Sequence, residues 1–140
     1  MINNTMKYNF ENLYEHVGYL FYGLVSHEGR ISASDLLKLT EFVDKTWKPH
    51  AAGDPTLSVH LADCILTGIR YAATNAMPAA HALGSFKDYF IIHALGFGSP
   101  VRERILTSVQ TLQKDFGVNA GTEDIEKILQ RLFAAPPVNV

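Results

Sequence analysis

Leu13-Tyr14-Glu15-His16-Val17-Gly18-Tyr19-Leu20-Phe21-Tyr22-Gly23-Leu24-Val25, then Ser26-His27-Glu28-Gly29-Arg30-Ile31-Ser32, then the run from Ala33 to Trp47, is the stretch whose reading decides the fold. Two segments with apolar residues at helical spacing flank one turn. Gly29 suits the left-handed residue that closes a helix. Ile31 is apolar between polar neighbours and can tuck into a core. Ser32 can cap the following helix, with Asp35 three places on as an acidic partner. Aligned as a calcium loop with Gly29 sixth, the turn would run from Leu24 to Asp35. Leu24 then occupies the first position, where calcium needs a carboxylate, and Ser26 and Glu28 are the remaining oxygen donors besides Asp35. The expected state is a capped helix hairpin without an ion.

The pattern Glu28-Gly29-x-Ile31-Ser32-x-x-Asp35 between two apolar helices resembles the hairpin of the tellurite-resistance TerB-like family. The resemblance spans residues 13–47, with Glu28 where that family usually has Asp and His27 where it has Ala. It implies an acid-bearing helical bundle tied to stress and tellurite resistance, with no established enzyme activity. It also implies Glu28 and Asp35 as candidate metal-ligating residues.

Outward from this hairpin, 140 residues suit one domain with a real core, and a 47% hydrophobic content argues against disorder. The net charge of −2 and the lack of a Lys/Arg run argue against nucleic acid as a partner. Cys64 is the single cysteine, which excludes an internal disulfide and fits a cytoplasmic setting. Residues 1–9 are polar, without the apolar run of a signal peptide, and read as an N-terminal arm.

The fold class expected is all-α: a bundle of about five to seven helices within a single domain, residues 10–134. The first helix starts near Phe10 and carries Leu13, Val17, Leu20, Phe21 and Leu24 on its core face. The second carries Leu36, Leu39, Val43 and Trp47 and stops at Pro49. The third, residues 56–76, follows Asp54 and Pro55 and is apolar nearly all round. That marks it as the central helix. His60, Asp63, Arg70 and Asn75 argue against membrane insertion of this helix. Pro78 to Gly96 forms either one helix or two pieces, with Ser85 a candidate cap. A helix opened by Ser99-Pro100 follows, closed by Gly117, then a sixth capped by Thr122. Residues 135–140 form a loose tail.

Three constellations bear on function. His60 and Asp63, at i and i+3 on the polar strip of the third helix, can present two metal ligands, with His81, Asp88 or His93 to complete a shell. The alternative is a hydrogen-bonded strip in which Asp63 orients His60. Cys64 reads as a small core residue with an inert thiol. Tyr19 and Tyr22, with Tyr14 at the margin, lie opposite the leucines of the first helix. They form either a contact surface for a partner or second copy, or a face covered by a later helix. The function expected is thus a non-enzymatic cytoplasmic helical protein acting through protein contacts, either with another protein or as a homodimer. It needs no cofactor. The alternative is a metal-binding protein, or metal-dependent enzyme, built on His60 and Asp63.

Overall fold

Helical spacing of apolar residues, broken only at Pro and turn-forming stretches, produces five helices in the part of the chain that the computed structural model describes, residues 2–27, 29–47, 55–93, 99–116 and 127. They are α1 (Ile2–Val25), α2 (Ala33–Thr46), α3 (Pro55–Thr74), α4 (Ala79–His93) and α5 (Ser99–Phe116). No strand occurs among the described residues, and the helices share one compact core. The first helix begins at Ile2, eight residues before the expected start near Phe10. Nothing from Ile2 to Asn9 is a Pro or Gly, so nothing breaks the helix there. The expected sixth helix apart from residue 127, the C-terminal tail, the loop 48–54 and Gly117 lie outside the described residues.

The turn after α1 differs in detail from expectation. Ser26 still closes a helical bond, its N–H donating to the Tyr22 carbonyl at 2.8 Å. His27 and Arg30 then exchange N–H···O bonds of 2.8 and 2.9 Å, so Gly29, with φ +72°, is the third residue of a tight turn rather than the residue closing the helix. Ile31 is half-buried against the core. Ser32 caps α2, its Oγ accepting from the Asp35 N–H at 3.0 Å, and Asp35 in the first turn complements the helix dipole.

Three ladders of contacts fix how the helices run. Glu11 meets His60, Gly18 meets Gly68 and Tyr22 packs with Ala72, so α1 and α3 are parallel. Tyr14 faces Trp47 and Phe21 faces Phe42, so α2 runs back along α1 behind a layer of rings. His16 stacks on Tyr89 and Gly23 abuts Leu83, so α4 is antiparallel to α1. α5 joins through the Trp47 indole N–H, which donates to the buried Ser108 hydroxyl at 3.2 Å.

The expected central helix is α3, yet α1 is the element with neighbours on every side. It packs on α3, α4 and α5 and meets α2 through aromatic rings, and it is buried continuously from Val17 to Ser26 apart from half-buried Tyr19. Burial of Leu20, Phe21 and Leu24 stabilises the fold by roughly 1.5–3 kcal/mol for each side chain. The α1–α3 crossing is a backbone contact. A Cβ on Gly18 would collide with the Ile65 carbonyl, and one on Gly68 with the Glu15 carbonyl. Only glycine at both positions permits helices this close.

Pro78 to His93 resolves as one piece from Ala79, continuous through Gly84 and Ser85. Ser85 therefore caps nothing. The α3–α4 connection is a Schellman turn, with the Met77 N–H donating to the Ala72 carbonyl and the Ala76 N–H to the Ala73 carbonyl. Ala76 sits there at φ +49°, a place glycine usually takes.

Candidate metal centre

N-terminal to the Gly18–Gly68 crossing, three side chains converge between α1 and α3. His60 and Cys64 are one turn apart on the same face of α3, and Glu11 reaches them from α1. The His60 Nε2 lies 2.8 Å from the Glu11 Oε2 and 3.9 Å from the Cys64 Sγ. All three donor atoms lie within 4.8 Å of one another. His60 and Glu11 are partly exposed, whereas Cys64 is 6% exposed, so the cluster opens to solvent on one side and meets the core on the other.

Burial, aided by the negative charges of Glu11, Glu15 and Asp63, pushes the Cys64 thiol up to about 11. Glu15 is also raised, first by burial and then by Glu11. Without a cation the thiol is therefore protonated at neutral pH and unreactive. The carboxylates that hold it so would favour a positive ion beside it.

A carboxylate, an imidazole and a thiol make a donor set suited to zinc, and three protein ligands with an open fourth place is an arrangement zinc adopts. Zinc bonds set tetrahedral neighbours about 3.3–3.6 Å apart. The observed 2.8 and 3.9 Å straddle that range, each within about half an ångström of it.

Of the expected ligands, His60 alone lies in this cluster. Asp63 is exposed, and its backbone carbonyl accepts from the Thr67 hydroxyl at 2.8 Å. The partner of His60 is Glu11, not Asp63. His81 and Asp88 are exposed on α4, away from the cluster, and the His93 side chain is outside the described ones. Asp35 serves the start of α2, and Glu28 lies outside the described residues. Glu11 and Cys64 are the candidate ligands that sequence reasoning missed. The spacing His60-x-x-x-Cys64 carried a signal, because i and i+4 residues share a helix face.

The tyrosine face is largely covered within the chain. Tyr14 and Tyr22 are 3% and 0% exposed, and Tyr19 is half-buried between His16 and Tyr71. The Tyr22 hydroxyl donates to the Met77 carbonyl at 2.8 Å, tying α1 to the α3–α4 turn. Of the two readings of this face, the structure takes the one in which later helices, α3 and α4, cover it. A separate cleft of about 540 Å³ between α2 and α5 is lined by Lys45, Glu103, Arg104 and several hydroxyls, with neither histidine nor thiol.

No helix among the described residues is long and apolar enough to cross a membrane. In comparison with known proteins, no family model, no curated protein and no solved structure matches the chain.

Proposed function

We propose that the protein binds a divalent transition metal, zinc by preference, through Glu11, His60 and Cys64. The observation that carries the reading is the convergence of three different ligand types, from two helices, within 4.8 Å. The open fourth position and the exposed side of His60 make the ion exchangeable, which suits metal sensing or handling. The capped hairpin with its left-handed Gly29 supports a second reading, a TerB-like stress protein acting through contacts with other proteins. The two are compatible, since a metal-responsive bundle can work without catalysis.

The test is titration of the purified chain with cobalt(II), a spectroscopic stand-in for zinc. One equivalent should bind with a thiolate-to-cobalt charge-transfer band that zinc abolishes. Cys64→Ser should remove the band, and Glu11→Gln and His60→Ala should each weaken binding by about 10- to 100-fold. A spectrum of hydrated cobalt alone, or binding unaffected in all three folded variants, would overturn the reading.

A further inference from the structure

We infer that a metal at this site clamps the N-terminal half of α1 onto α3, so that occupancy is reported as order in that half-helix. The inference rests on the metal reading above. Its physical basis is where the ligands sit relative to the fixed helix crossing. At Gly18 and Gly68 the two helices are held backbone against backbone. Toward the N-terminus of α1, Leu13 and Tyr14 are the last described residues in the core. Glu11 meets α3 at the partly exposed His60. A partly exposed contact of this kind holds weakly, and any charge across it is screened by salt.

Glu11 precedes Gly18 by seven residues, which is about 10 Å along the axis. A bond at Glu11 therefore acts on the helix well away from the fixed crossing. His60 and Cys64 belong to α3 and Glu11 to α1, so a metal holding all three joins the two helices at this end. Metal-ligand bonds replace a screened contact, and part of the binding free energy is spent on ordering the helix. α1 is also the element in contact with α3, α4 and α5, so an ordering event in it reaches the rest of the bundle. The ion is thus a regulatory ligand.

Hydrogen exchange with and without zinc tests the clamp. Amides of residues 5–13 should be protected at least tenfold more with one equivalent of zinc, while those of residues 18–25 should hardly change. Glu11→Ala provides the discriminating variant. His60 and Cys64 then hold the ion more weakly, and at saturating zinc the protection of residues 5–13 should be lost. Cobalt bound to the wild type through the thiolate with unchanged exchange in residues 5–13 would overturn the clamp and leave the metal site standing. Absence of binding would overturn both. Equal protection in the Glu11→Ala variant at saturation would also defeat the clamp, since ordering would then not pass through Glu11.

Discussion

Tyr14 lies 3% exposed beneath Trp47, and burial pushes its hydroxyl up from 10.0 to about 12 despite the opposing Arg104 guanidinium. Below pH 10 both folded and unfolded chains keep this proton, and the phenol's contribution to stability is intact. Between pH 10 and 12 the unfolded chain releases it first, so that contribution is lost as pH rises. Other buried tyrosines and Cys64 titrate in the same direction, so the comparison must be made with Tyr14→Phe. Urea midpoints taken from pH 9 to 12 should fall more steeply for the wild type, by on the order of 2 kcal/mol over the window. Identical slopes would mean that Tyr14 ionises as easily in the folded protein. Ala76 gives a second residue-level test. Its φ of +49° crowds the Cβ against its own backbone, at a cost of about 1 kcal/mol. Ala76→Gly should raise the thermal midpoint, and a fall would show that the methyl group is needed where the turn meets Gly29.

At the scale of the element, the glycines of the helices divide sharply by surroundings. Gly68 has the Glu15 backbone against it, whereas Gly84 in α4 has nothing within 4 Å. Gly68→Ala must part α1 from α3 and should destabilise by about 3 kcal/mol, the upper end for overpacking. Gly84→Ala should stabilise by roughly 0.5–1 kcal/mol, as alanine does in an open helix interior. Denaturant melts of the pair check both signs; a Gly68→Ala as stable as the wild type would deny the close crossing. The same contrast explains what the sequence revealed of the fold. The stripe Leu39, Val43 and Trp47, the cap at Ser32 and the left-handed Gly29 follow from local chemistry and are present. The stripe Glu11, Glu15, Gly18 and Tyr22 looks polar by residue type. It is nonetheless a packing face, because a glycine brings a second backbone against it and a tyrosine can be covered if its hydroxyl finds a carbonyl. Residue type alone does not disclose which helix will arrive there.

For the whole molecule, the candidate site was half legible. His60 stood out as a ligand type on a polar strip, and Cys64 sat one turn further along. Glu11 was invisible as a partner because 49 positions separate it from His60, and only the parallel pairing of α1 and α3 brings them together. That pairing also has a consequence for synthesis. Parallel neighbours cannot be consecutive in a simple up-and-down chain, so α2 must be made in between. When α1 leaves the ribosome, the faces of Gly18 and Tyr22 have no cover until α3 has been added, roughly 50 residues later. At bacterial or eukaryotic elongation rates that wait is about 2–10 s. The helix most enclosed in the finished protein is therefore, during its making, the one left longest with bare apolar surface, and the nascent chain is at its most aggregation-prone over that interval.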